Sequence, residues 1–175
     1  MAFKVITAVL FVSLFAQLEI NLPLNEADLD ISGQTFAVLL VGYILGSKLG
    51  MLAMLLYLAC GAVGLPVFSG GGSGVESLWG TSAGYLFGFV IAAGIVGKIK
   101  ETWNVCKLFP CIILMLLGTV VILIFGSLWL SNSMGLCAAL VHGVQPFILG
   151  GIVKSILGGI VAFVWTNLNI DKRQV

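Results

Sequence analysis

The chain has 175 residues, of which 60% are hydrophobic and 9% charged, and a net charge of +1. Soluble domains carry about 25% charged residues, so the composition excludes a water-soluble surface; the net charge of +1 gives no pointer to nucleic acid, and no nucleic-acid partner is expected. What remains is an integral membrane protein, one domain over residues 1–175, with 23 glycines suited to close helix packing.

Apolar runs cover 5–22, 35–47, 49–64, 82–97, 108–130 and 146–167. A straight span needs roughly 20 apolar residues, which the first, fifth and sixth runs satisfy. The first is read as a span and not a signal peptide, because the run continues to Ile20 with no small-x-small cleavage site. The second and third are short, with Lys48 between them. Charge decides whether they fuse. With six spans and the N-terminus inside, the inner segments hold Lys4, Lys48, Lys98, Lys100, Lys107, Lys172 and Arg173, and the outer loops hold no Lys or Arg. Five spans would put Lys98, Lys100 and Lys107 outside. The sequence therefore predicts an all-α fold of six transmembrane helices with both termini cytoplasmic and Lys48 in a tight inner turn.

The outer loops are then 21–34, 65–81 and 131–145, with Glu26, Asp28 and Asp30 in the first and Glu76 in the second. The cysteines, Cys60, Cys106, Cys111 and Cys137, lack CxxC spacing and read as packing residues. No metal or cofactor is implied.

The eighth basic residue, Lys154, lies eight positions after Pro146, which suits the first turn of the last helix. At about 1.5 Å per residue it is roughly 12 Å from the outer end of that helix. A lysine at that depth costs about 2.5–3.5 kcal/mol on insertion scales. Its side chain leans back over Gly151 and Gly150, which leaves a niche open toward the outer face and fit for a carboxylate. Snorkelling to the interface is the competing reading.

The stretch LPVFSGGGSGVESLWGTSAGYLFGF, residues 65–89, lies on the same side. It matches no phosphate-binding pattern, which would need a preceding strand. Gly71-Gly72-Ser73-Gly74 matches the GxSG signature of rhomboid-type intramembrane serine proteases, with His142 as partner, but Ser73 falls in a loop and not on a membrane helix. The favoured reading is a loop that caps a ligand. Ser69–Gly74 can take positive φ and pack closely. Phe68 and Trp79 supply flat apolar surface, Thr81 or Ser82 can cap the next helix, and Tyr85 places a hydroxyl near its outer end.

Four segments together resemble the biotin-specific S-components of energy-coupling factor (ECF) transporters, the BioY family. They are Ser32-Gly33-Gln34-Thr35; Leu45-Gly46 through Gly50; Tyr57 through Gly64-Leu65-Pro66-Val67-Phe68-Ser69 with Gly84-Tyr85; and Pro146-Phe147 through Gly150 to Lys154. The resemblance covers nearly the whole chain in order. It implies a six-helix S-component bundle in the bacterial cell (inner) membrane that takes up biotin from the outer face. Outer loops one and two would cap the bound vitamin. No bond chemistry is implied, so the chain is not an enzyme. The implied partners are membrane lipid, a transmembrane coupling subunit and two ABC ATPase subunits. The family's last-helix lysine binds substrate and maps onto Lys154, where its amine would meet the valerate carboxylate. The alternative is an S-component for another small carboxylated vitamin or a biotin precursor.

The chain departs from the family pattern at three places. The aspartate of G-D-x-x-K, suited to ureido N–H donors, is Gly151; a frequent proline is Leu149; and Gly-Pro-Thr before the GGY is replaced by Gly80-Thr81-Ser82-Ala83. Another acceptor for the ureido group is needed, and Gln34, Gln145 and Glu76 are open candidates. The docking helix implied by the family is the first, where Ala8, Val12 and Ala16, with Ser13, give an AxxxA-like spacing.

Overall fold

The chain is built from α1 (Ala2–Ala16), β1 (Glu19–Leu24), β2 (Ala27–Ser32), α2 (Gln34–Leu45), α3 (Ser47–Ala62), α4 (Ala83–Trp103), α5 (Leu108–Met134), α6 (Leu136–Gly143) and α7 (Gln145–Gln174). The structure is a computed structural model; it describes residues 1–24, 27–103, 105 and 107–174, with the backbone alone for 19–31 and 169–174. Glu26 and Cys106 lie outside the described residues, and Asp28, Asp30, Lys172 and Arg173 are described by backbone only.

Three helical segments are long and apolar enough to cross a membrane: Ala83–Trp103, Leu108–Met134 and Gln145–Leu168. This corrects the sequence expectation at the first run. There α1 stops at Ala16 after 15 residues, and the chain turns into an antiparallel hairpin pairing Glu19 with Ser32 and Leu24 with Ala27. The fold is helical as expected, with this two-stranded hairpin as an addition among the described residues. The signal was present: Ile20, Leu22 and Leu24, then Ala27, Leu29 and Ile31, alternate with polar residues or proline at period two. The fourth run was read too short, because Lys98 and Lys100 interrupt hydropathy but not the helix. The third outer loop is likewise not all loop, since α6 fills most of it.

The short helices α2 and α3, of 12 and 16 residues, meet at Gly46. There φ is +80° and ψ is 177°, a conformation that a side chain would strain. Glu101 Oε1 accepts from Ser47 N at 3.0 Å and so satisfies the start of α3. Small residues let the backbones touch. A β-carbon at Gly42 would lie 2.6 Å from the Ala93 carbonyl oxygen, and one at Gly50 would lie 3.0 Å from Gly42 Cα. The core around these crossings includes fully buried Tyr43, Met54 and Tyr57.

At this end Tyr43 joins three elements. Its hydroxyl meets the Val105 carbonyl at 2.7 Å, Thr166 Oγ1 of α7 at 2.7 Å and Cys111 Sγ of α5 at 3.5 Å. Buried side-chain hydrogen bonds in membrane proteins contribute about 0.6–2 kcal/mol each. Tyr43→Phe is expected to destabilise the fold by about 1–2 kcal/mol while leaving ligand affinity unchanged. A thermal melt and a binding isotherm on the same preparation check both halves.

α1 packs on α2 and α3, and this corrects the docking face expected from small-residue spacing. Ala8, Val12 and Ala16 are all buried inside the chain. Ser13 is half-buried and bonds its own helix at Val9 O, 2.8 Å away. The small residues serve internal packing, and the exposed face of α1 carries Phe3, Ile6, Leu10 and Leu14 instead. Among the cysteines, Cys111 is a core residue, Cys60 is half-buried and Cys137 is exposed.

Candidate ligand-binding site

A cavity of about 530 Å³ lies at the end of the bundle where α2, α4 and α7 begin. Its size is in the range of small-molecule sites, about 300–1,000 Å³. One wall is Gln34 and Thr35 of α2; α4 contributes Tyr85 and Phe89; α5 contributes Thr119 and Ile122; α7 contributes Phe147, Gly151 and Lys154. The segment 68–82 closes the remaining side through Phe68, Ser69 and Thr81.

Lys154 projects into this space from the tenth position of α7. Its Nζ donates to the Ser32 carbonyl at 3.0 Å, at the junction between β2 and α2. An ammonium carries three donors, so two remain. No acidic side chain lines the cavity among the described residues, and the lysine charge there is unneutralised by them. Gly151 gives access to the floor: a β-carbon there would stand 3.0 Å from Thr119 Cγ2. Thr119 and Ser155 share a 3.0 Å hydroxyl contact beneath it.

The glycine-rich segment is held in a compact form. Gly70, Gly71 and Gly74 have φ of 63°, 73° and 86°, values open to glycine at little cost. Phe68 N donates to Gly72 O at 3.1 Å, and Gly74 N donates to Gly61 O at 2.7 Å. Two side chains pin the segment from outside: Tyr57 Oη donates to Val67 O at 2.8 Å, and Gln17 Nε2 donates to Phe68 O at 3.0 Å. The Phe68 ring is buried, edge-on to Tyr57 at 5.4 Å.

A family model described as the BioY family matches residues 1–169. The chain belongs to the BioY family. A "Probable biotin transporter BioY" of Pyrococcus horikoshii is 37% identical over 120 residues, which are 66% of this chain and 67% of the relative. "Biotin transporter BioY2" of Lactococcus lactis subsp. cremoris is 35% identical over 121 residues, 66% of this chain and 64% of the relative. "Biotin transporter BioY" of Thermotoga maritima is 42% identical over 82 residues, 47% of each chain. Thus the chain spans from about half to two thirds of the length of these relatives. A crystal structure of the S-component for biotin from an ECF-type ABC transporter superposes with a TM-score of 0.82 at 25% identity, covering 95% of this chain and 92% of that one.

Within this BioY-family fold, the residues expected at the site divide clearly. Gln34, Phe68, Ser69, Thr81, Tyr85, Gly151 and Lys154 line one cavity. Gly150 and Trp79 do not. Gly150 is buried in the helix, and Trp79 is 71% exposed, tilted against Trp129 on the outside of the segment. Tyr85 is half-buried and its hydroxyl is engaged, donating to Gly143 O at 2.6 Å, so it braces α6 against α4. The turn before α4 is closed by backbone, with Leu86 N donating to the Ser82 carbonyl at 3.2 Å, and not by a Thr81 or Ser82 hydroxyl. Ser73 and His142 are both exposed and neither lines the cavity. Sequence reasoning missed Thr119, whose only signal is a hydroxyl inside the apolar run LMLLGTVVILIF, and Gln17, which carried none.

Proposed function

We propose that the chain is the substrate-binding membrane subunit of an ECF-type transporter, that it captures biotin, and that Lys154 binds the valerate carboxylate. The single observation that carries the reading is an unneutralised lysine amine facing a cavity of vitamin size in a BioY-family fold. Apolar surface from Phe68, Phe89 and Phe147 suits the bicyclic ring and tail. The first and second outer loops then act as the cap. On this reading the three long apolar helices and the three shorter ones, α1, α2 and α3, together make six passes through the cell membrane, which in a bacterium is the inner membrane. Both termini face the cytoplasm, as the distribution of Lys and Arg favours. Transport would use a transmembrane coupling subunit and two ABC ATPases, with no bond chemistry in this chain.

The test is equilibrium binding to the purified protein in detergent, with biotin, dethiobiotin and biotin carboxamide as ligands. Biotin is expected to bind tightly. Its carboxamide, which lacks the negative charge, is expected to bind about 10–150-fold more weakly, the worth of a charged hydrogen bond of about 1.5–3 kcal/mol. Preference for dethiobiotin would point to a precursor as substrate. Failure of folded protein to bind any of the three would end the assignment.

A further inference from the structure

Gln34 is the first residue of α2, only 5% exposed, yet it lines the cavity. Its Nε2 donates to Tyr57 Oη. Tyr57 Oη in turn donates to the Val67 carbonyl at 2.8 Å. A phenol has one proton, and here it is committed to Val67. The phenol oxygen can then only accept from Gln34, which fixes the amide with its nitrogen toward Tyr57 and its Oε1 pointing the other way. Among the described residues Oε1 receives no hydrogen bond, and no fully buried side-chain polar atom is left without a partner. Oε1 therefore opens onto the cavity. The remaining uncharged polar side chains of the lining are hydroxyls, which donate as readily as they accept. Gln145 and Glu76, the other acceptors that the sequence offered, are exposed and do not line the cavity.

We propose that Gln34 Oε1, held as an obligate acceptor by the Tyr57–Val67 relay, is the specificity-determining group that reads an N–H donor of the ligand. Under the biotin reading above, on which this rests, that donor is a ureido N–H. A site built to pair with an N–H rejects ligands that lack it, because its own polar group is then left unpaired. Gln34 touches the ligand; Tyr57 acts through Gln34 as a positioning residue.

The experiment measures biotin and lipoate binding to wild type, Gln34→Leu and Tyr57→Phe in detergent. Lipoate keeps the valerate tail on a five-membered sulfur ring and lacks the ureido group. Gln34→Leu is expected to weaken biotin about tenfold or more and leave lipoate unchanged or slightly tighter. Tyr57→Phe, which frees the amide to flip, is expected to lower the biotin-to-lipoate ratio with Gln34 still in place. That second variant carries the test alone should Gln34→Leu not fold. Equal loss of both ligands, or an unchanged ratio in the variants, overturns the role of Gln34 while biotin binding by wild type leaves the transporter reading standing. Absence of biotin binding by folded wild type overturns both.

Discussion

Lys154→Met is expected to weaken biotin binding by about 10–150-fold and to leave the carboxamide of biotin almost unaffected. The substitution keeps an unbranched side chain of similar reach and removes only the ammonium. In the wild type the amine sits in a cavity without an acidic lining residue among those described and spends one donor on Ser32 O. Two donors and a full charge are left for an anion. The loss should therefore depend on the charge of the ligand, and that dependence separates it from a packing defect. The substitution also frees the Ser32 carbonyl, and with it the strand-to-helix junction that presents Gln34. Displacement of that junction would cost both ligands equally. A double-mutant cycle across protein and ligand isolates the charge term. Equal affinity of the variant and wild type for biotin would remove Lys154 as carboxylate partner. Lys154→Arg is not a neutral control, since a planar guanidinium is longer and directs its donors differently.

The parts of this fold that could be read from sequence are those where one local rule dominates. Gly46 before Ser47-Lys48 breaks a helix because only glycine takes φ +80° cheaply. Pro146 stands in the first turn of α7, where its missing N–H costs nothing. Lys154 stood out because a charge inside an apolar run demands an explanation. The site was legible as a set of residue types and not as a geometry. Phe68 and Trp79 look alike as aromatic residues of one glycine-rich segment, yet one is 4% exposed and the other 71%. What separates them is Gly61 on α3, seven positions before Phe68, which leaves room for one ring. The AxxxA-like spacing of α1 was misleading for a related reason: small residues promise a close approach without naming the partner. Here the partners are α2 and α3 of the same chain. Ala8→Trp would accordingly disturb internal packing and could not separate binding from docking. Gln34 was one acceptor among three until the Tyr57 relay, a contact across 23 residues, fixed its amide.

The pairing of Gly61 with Phe68 leads to the second large effect. A β-carbon at position 61 would overlap the Phe68 ring, while Phe68 is held in place by its own backbone bonds to Gly72 and by Gln17. The ring cannot simply retreat. Gly61→Ala is expected to destabilise the protein by about 1–3 kcal/mol through overpacking, and to weaken biotin because the displaced ring either enters the cavity or abandons its wall. Adding Phe68→Ala removes the overlap. Thermal stability should then recover in part, but affinity should not, since burying one aromatic side chain contributes about 1.5–3 kcal/mol and the ligand has lost that surface. The two readouts therefore move apart in the double variant. Wild-type affinity in the double variant would mean that Phe68 closes the cavity without contacting the ligand. A silent Gly61→Ala would mean that the ring is not seated on α3 at all, and the capped geometry of the segment would need another support.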